Sequence, residues 1–542
     1  MQTSQKHPNS AGVHFYHQPV QGMYQILQSN LCRDSSSQDT SLSFETCKEQ
    51  YYTLESCPAS TGFMDCDSPS YASVSSNRTP VSPQGSQSCY SDPHPLSDNT
   101  YGSPISGLSS VDDGNELKHK LKELEISLLG PDESDIVDSC GCCINSGLHG
   151  APKLAEYNWD QMAEKIPQLD LKEVLKLCAQ AVSDDDIPTA RGWMDNVLGK
   201  MVSVGGDPIQ RLGAYLLEGL RARLESSGNM IYKSLKCEQP TSNELMSYMS
   251  ILYQICPYWK FAYRSANAVI EEAMASETRI HIIDFQIAQG SQWHLLIQDL
   301  ANRPGGPPSL RVTGVDDAQS FHARGGGLEI VGERLSNFAK SCGVPFEFHS
   351  AAMSGCEVVR GNVEIRRGEA LAVNFPYVLH HMPDESVSTE NHRDRLLRLV
   401  KSLSPRVVTI VEQESNTNTS PFFHRFVETL DYYAAMFESI DVASSRDDKK
   451  RISAEQHCVA RDIVNMIACE GVERVERHEL FGKWRSRLSM AGFKQSPLSS
   501  SVMGATQNLL KDFNQNYRLK HRDGALYLGW MNRPMATSSA WR

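Results

Sequence analysis

The sequence has no apolar run long enough to span a bilayer, which excludes an α-helical membrane span. Its opening residues, MQTSQKHPNS, lack the basic and then apolar pattern of a secretory signal. Fifteen cysteines without such a signal are expected as reduced thiols of the cytosol or nucleus. An excess of positive charge is also missing: 52 lysines and arginines stand against 65 aspartates and glutamates, a formal charge of −13. That balance rules out coating nucleic acid through a whole-molecule positive field, while leaving a local basic groove open. No G-x-S-x-G elbow, P-loop or H-E-x-x-H helix occurs. The apolar fraction of 40% falls short of a wholly globular chain and predicts a disordered part within the 542 residues.

That part is expected over residues 1–115. Serine fills 24 of the first 110 positions, mixed with Gln, Asn, Pro and Asp. Without apolar periodicity, burial there cannot offset the entropy of ordering the backbone. Tyrosines such as Tyr24 and Tyr90 recur singly; the segment is a solvated tail, or one that folds on a partner or carries regulatory phosphosites, and both readings can hold. Residues 116–164 read as a linker with one short amphipathic helix, Glu116 to Leu129. Cys140, Cys142 and Cys143 lack the fourth ligand and the wider spacing of a zinc site, and read as free thiols.

Folded structure is expected over residues 165–542, with a helical cap at 165–275 and an α/β core at 276–542. In the cap, Leu171, Val174, Leu175 and Cys178 share one helical face. Asp207-Pro208 suits a helix start, and Thr241 to Glu244 fits a capping box. A further helix covers Phe261 to Met274. This leucine-rich block is either an ordinary core or a surface for partners.

From Ile280 onward strands and helices alternate. Strands are expected at Ile280 to Asp284, Leu310 to Val315, Val344 to Phe348, Glu369 to Phe375 and Arg406 to Glu412. Continuous apolar runs of this kind are parallel strands with helices on both faces. Helices are expected at Leu328 to Ala339, Phe422 to Phe437, Ala454 to Glu470 and Met503 to Phe513, and a terminal hairpin turns at Arg522-Asp523-Gly524. The outline is a Rossmann-like sheet of the methyltransferase kind.

In such a sheet, ligands sit beyond the carboxyl ends of the strands, where Asp284 lies. An S-adenosylmethionine site would hold the ribose on an acid after the second strand, and Asp316 is placed for that. The first loop argues against it. FQIAQG holds one glycine, Gly290, and Phe285, Gln286 and Ile287 would fill the space a cofactor needs. His380-His381 follows the fourth strand. With Asp384 as the only near third ligand, neither a metal site nor a His–Asp acid–base pair is specific, and a histidine pair bonded to neighbouring loops is the simplest reading.

The motifs match a known family in order across residues 165–542. IHIIDF, with Ile280, His281, Ile282, Ile283 and Asp284, resembles the VHIID core of the plant GRAS transcriptional regulators. Pro405, the Tyr432-Tyr433 pair and GVERVERHE resemble the PFYRE region. Trp484, Trp530 and the run Ser539, Ala540, Trp541 resemble the SAW region. FQIAQGSQW is most similar to the scarecrow-like branch of phytochrome A signalling, and no DELLA-type sequence is present.

The resemblance implies a helical cap on a Rossmann-like core, no catalysis and no cofactor or metal. It implies a nuclear transcriptional regulator, also cytoplasmic in some states, acting in light, hormone or stress signalling and development. Its partners would be other transcription factors or family members, as homo- or heterodimers, with promoter DNA reached mainly through them. The leucine-rich regions make Leu175, Leu212, Leu216, Leu220, Leu328 and Leu335 the candidate partner contacts. The alternatives are a methyltransferase, or a direct DNA binder using Arg474, Arg477, Lys483, Arg485 and Arg487. Glu473, Glu476 and Glu479 interrupt those cations and favour a salt-bridged surface. Lys449 to Arg451 is a short basic run of the kind that serves as a nuclear signal.

Overall fold

The computed structural model describes residues 158–317 and 320–542. The serine-rich region, the Glu116 to Leu129 helix and the Cys140 to Cys143 cluster lie outside these residues. No helix among the described residues is long and apolar enough to cross a membrane, and the seven cysteines among them are free thiols.

The first long helices begin where the sequence supplies caps. Helix α1 (Leu171–Ser183) starts on Asp170, whose side chain accepts from the Lys172 amide. Helix α2 (Pro208–Leu224) starts on a reciprocal box: the Gln210 amide donates to Asp207 at 2.9 Å, and the Asp207 amide donates to the Gln210 side chain at 3.1 Å. Thr241 and Glu244 do the same for α3 (Ser242–Ile255). Helix α4 (Tyr258–Ala273) follows at once.

Strands and helices then alternate as β1 (Arg279–Phe285), α5 (Ser291–Ala301), β2 (Ser309–Asp316), α6 (Leu328–Ser341), β3 (Phe346–Ala352), β4 (Ala370–Pro376), α7 (His392–Ser402) and β5 (Val407–Gln413). After them come α8 (Phe422–Asp441), α9 (Lys449–Ala454), α10 (Ala460–Ala468), α11 (Phe481–Met490), β6 (Gln495–Ser496), α12 (Ser500–Leu509), β7 (Tyr517–Arg522), β8 (Ala525–Trp530) and β9 (Arg533–Trp541). The sheet order is β3-β2-β1-β4-β5-β9-β8-β7, with β6 pairing β9. The first five strands are parallel; β9, β8 and β7 are antiparallel.

Residues of β1 alternate between two cores. Ile280 and Ile282 join the larger apolar cluster with α4, α5 and α6, whereas Ile283 and Phe285 join a second cluster with α7 and α11. Both faces of the strand are therefore covered.

Three expectations about extent are revised. The hairpin is only part of the C-terminal sheet, because β9 inserts between β5 and β8. The helix expected from Ala454 to Glu470 is interrupted by a π-turn at Glu455–Val459. The helical cap is not confined to residues 165–275: α8 and α10 pack against α2, α8 also packs on α1, and α4 packs on β5, β9 and α12 of the sheet. The cap is assembled from two distant stretches of chain, which local periodicity cannot reveal.

Candidate functional site at the carboxyl ends of the strands

The loop after β1 turns back over the sheet. Gln286 and Ala288 take φ of 88° and 46°, and Gly290 takes 73°. Two of these three left-handed positions lack glycine, so the turn is imposed by its surroundings. The Gln286 amide donates to the Val315 carbonyl at 2.7 Å, which lays Ile287 across β2. Ile287 is buried there against Gly314, where a Cβ would meet its Cδ1 at 2.9 Å. Phe285 stacks on Phe375, with ring centroids 4.7 Å apart.

Asp284 is held by side chains of this chain. Its Oδ2 accepts from Trp293 Nε1 at 2.7 Å and its Oδ1 from Asn374 Nδ2 at 3.0 Å. Burial pushes its carboxyl up to about 7, against the pull of those two donors. Asp316 is capped by Arg324 at 3.1 Å, with the Ser320 hydroxyl and the Ala288 amide also bonded to it. Burial raises its pKa while Arg324 opposes the rise. His281 Nδ1 accepts from Arg311 at 3.0 Å, so its Nε2–H donates to Thr313 at 2.8 Å. Burial and then Arg311 push its pKa down to about 3, which keeps it neutral. Each of these groups bonds to neighbouring elements.

Beyond β4 and β5 lie two buried polar networks. In the first, Asp384 Oδ2 takes Arg487 Nη2 at 2.9 Å and Asn418 Nδ2 at 2.5 Å, and Glu479 takes Arg487 Nε at 2.7 Å and Asn418 at 2.8 Å. Arg393 joins both carboxylates. Burial works against the charged forms, but Arg393, with hydrogen bonds from Ser386 and Asn418, holds the Asp384 carboxyl at about 2, and Arg487 with Arg393 holds that of Glu479 below its usual range.

The second network gathers His380, His381, Glu412, Glu476 and His478, all nearly inaccessible. His380 Nδ1 is 2.5 Å from Glu412 Oε2. Burial alone would lower the His380 pKa, yet Glu412 and Glu476 hold it at about 10. Asp384, expected as the third group beside the histidine pair, belongs to the first network. Glu476 and His478 come from far downstream and were not foreseen as neighbours. The signal was present in VERVERHEL, a charge-dense run with arginine but no lysine, because arginine is the cation suited to buried pairs.

Between cap and sheet a cavity of about 110 Å³ is lined by Tyr258, Trp259, Tyr377, Tyr432, Tyr433 and Met436. Cofactor sites usually enclose roughly 300 Å³ or more, so this space suits a few waters or one small ring. Tyr432 donates to the Met535 carbonyl at 2.9 Å and packs edge-on to Tyr433.

The remaining motif residues are structural in their surroundings. Pro405 is buried before β5. Trp484, Trp530 and Trp541 are at most 2% exposed, and Trp541 Nε1 donates to Ser539 at 2.9 Å. Ser539, Ala540 and Trp541 pair with Ile410, Thr409 and Val408 inside the sheet.

Two sets of candidate contacts are corrected by burial. Leu175, Leu212, Leu216, Leu220, Leu328 and Leu335 are at most 1% exposed, because they fill this chain's own core; a partner does not reach them. Arg474 and Arg477 are also buried, with Arg474 donating to the Thr417 and Asn418 carbonyls at 2.9 and 2.8 Å and Arg477 bonding the Gly471 carbonyl. Arg487 is spent on the carboxylate network. Only Lys483 and Arg485 of that set face solvent. In the short basic run, Arg451 is buried against Glu455, leaving Lys449 and Lys450 outside.

The profile of the GRAS domain family matches residues 171–542. Scarecrow-like protein 13 of Arabidopsis thaliana is 61% identical over 545 residues, covering 100% of this chain and 99% of the relative. Scarecrow-like transcription factor PAT1 of Arabidopsis thaliana is 57% identical, covering 85% of this chain and 95% of the relative. Chitin-inducible gibberellin-responsive protein 2 of Oryza sativa is 56% identical, covering 90% of this chain and 87% of the relative. The crystal structure of SCL7 from Oryza sativa aligns with a TM-score of 0.60 at 34% identity, over 69% of this chain and 100% of that one. By sequence and by fold, this chain belongs to the GRAS domain family.

Proposed function

We propose that this chain is a nuclear transcriptional regulator that works by associating with other proteins and performs no catalysis. The observation that carries the reading is the crowded strand end: Ile287 covers β2, and Arg324 occupies Asp316, the acid a nucleoside cofactor would need. The relative named a transcription factor supports it. Calorimetry with S-adenosylmethionine tests it. No measurable heat is expected; micromolar binding that Asp316→Ala abolishes overturns the non-enzymatic reading.

The partner is a second chain of this family, and the surface is α3. This helix is apolar along most of its length, yet only Leu245 is fully buried; Met246, Met249, Ile251 and Tyr253 are partly buried, Met249 against Leu245 and Tyr253 against Tyr263, and each keeps some surface. Light scattering of the full chain, alone and mixed with a family member, should show dimers that Ile251→Asp removes while circular dichroism stays unchanged. Dimers that persist in that variant, or no association at all, refute this surface. The relative named as chitin-inducible and gibberellin-responsive, together with the likeness of FQIAQGSQW to the phytochrome A branch, supports a place in hormone, stress or light signalling. Transcript profiles of plants lacking the protein, treated with chitin, gibberellin or far-red light, distinguish these inputs.

A further inference from the structure

The two polar networks differ in how they are closed. Around Asp384 and Glu479, the contacts are hydrogen bonds of 2.5–2.9 Å from arginine and asparagine. Around Glu476 they are not. His380 Nε2 stands 3.4 Å from Glu476 Oε2, His478 Nε2 stands 3.3 Å from the same oxygen, and His381 Nδ1 stands 3.5 Å from Oε1. His380 Nε2, His478 Nε2 and both Glu476 oxygens make only long ion-pair contacts of 3.3–3.5 Å with one another or with His381, although all are fully buried. Buried polar atoms are normally satisfied, so this convergence needs an explanation.

A metal ion supplies one. Ligands about 2.0–2.1 Å from a tetrahedral zinc lie about 3.3–3.4 Å from each other, which is the spacing of His380 Nε2 and His478 Nε2 from Glu476 Oε2 and is too long for strong hydrogen bonds. One ligand atom from each of His380, His381 and Glu476 falls within 4.8 Å of the others. The second shell is also in place. Glu412 binds the far nitrogen of His380, the carboxylate–histidine arrangement that orients a metal-bound imidazole.

We infer that His380, His381 and Glu476 form a buried site for a divalent transition metal, zinc in the first place, with His478 the nearest fourth donor. The ligands come from the turn after β4 and from the segment between α10 and α11. The metal therefore ties together two irregular stretches that share few backbone hydrogen bonds, among them Arg477 N to the His380 carbonyl at 3.1 Å. Three nitrogens and a carboxylate with no thiolate fit zinc, and the enclosed position fits a structural ion.

The test uses the untagged full chain. Elemental analysis should find about one zinc per chain. Replacement by cobalt should give a tetrahedral visible spectrum without a thiolate charge-transfer band, which separates this site from the many cysteines. Glu412→Gln keeps every ligand and should weaken zinc binding on the order of 10- to 100-fold; Glu476→Gln should abolish stoichiometric zinc. Metal-free wild-type chain, a thiolate band, or unchanged affinity in Glu412→Gln overturns the inference. If Glu476→Gln does not fold, the wild-type cobalt spectrum and the Glu412→Gln affinity still decide. A chain without metal that nevertheless dimerises leaves the proposed function standing.

Discussion

Asp284 is under two opposing demands. Trp293 and Asn374 favour its charged form, while complete burial favours the neutral one, and burial prevails with a pKa of about 7. The folded state therefore holds this proton more tightly than the unfolded chain, whose value is near 3.8. Stability from this group is full below about pH 4 and is lost as pH rises through about 7, by on the order of 4 kcal/mol. Urea unfolding from pH 4 to 8 should show that loss, and Asp284→Asn should flatten it; a variant with the wild-type slope would disprove the assignment. Arg487 gives a second residue-scale prediction. Removing it as Arg487→Leu leaves Asp384 and Glu479 buried with Arg393 as their remaining cation, a cost of roughly 3 kcal/mol. Exposed Arg485→Ala should stay within about 0.5 kcal/mol. Equal losses in chemical denaturation would mean that the network is not what holds this region.

At the scale of elements, the side chain of Ile287 packs the loop after β1 down on Gly314 of β2. Gly314→Ala places a methyl group 2.9 Å from Ile287 and 3.0 Å from Phe348, and overpacking of this kind costs about 1–3 kcal/mol. Ile287→Val in the same chain should recover part of that loss in a double-mutant cycle; additive effects would show that the two residues do not touch. The crowding of this loop was readable from FQIAQG, because a single glycine cannot keep a loop open. The parallel strands were readable too, since burial on both faces demands unbroken apolar runs. Strand β9 was not. RPMATSSAW has a small, mostly polar centre (Ala536 to Ala540) and no β-branched apolar run, and as a strand it fills the gap between β5 and β8. The histidine cluster was half readable: His380 and His381 are adjacent, but Glu476 and His478 reach them only through the fold. The leucines were legible as apolar helix faces, but nothing in periodicity says whether such a face meets its own chain or another.

For the whole molecule, a formal charge of −13 supplies no overall field that attracts nucleic acid. Of the five cations first considered, Lys483 and Arg485 remain at the surface. Two phosphate contacts give a slope of log affinity against log salt no steeper than about −2. Fluorescence anisotropy with duplex DNA across a salt series should find that shallow dependence for the full chain, and a slope several times steeper would reveal another basic face.

The placement of β9 has a consequence for how the protein is made. On the ribosome, β5 and β8 emerge first, each with an unpaired edge of the kind that invites aggregation. No rearrangement of the earlier strands supplies what residues 533–541 contribute, so the sheet can close only after these have left the exit tunnel. A chain truncated before Arg533 should therefore keep two unpaired strand edges and aggregate or be degraded, which solubility of the 1–532 fragment against the full chain checks.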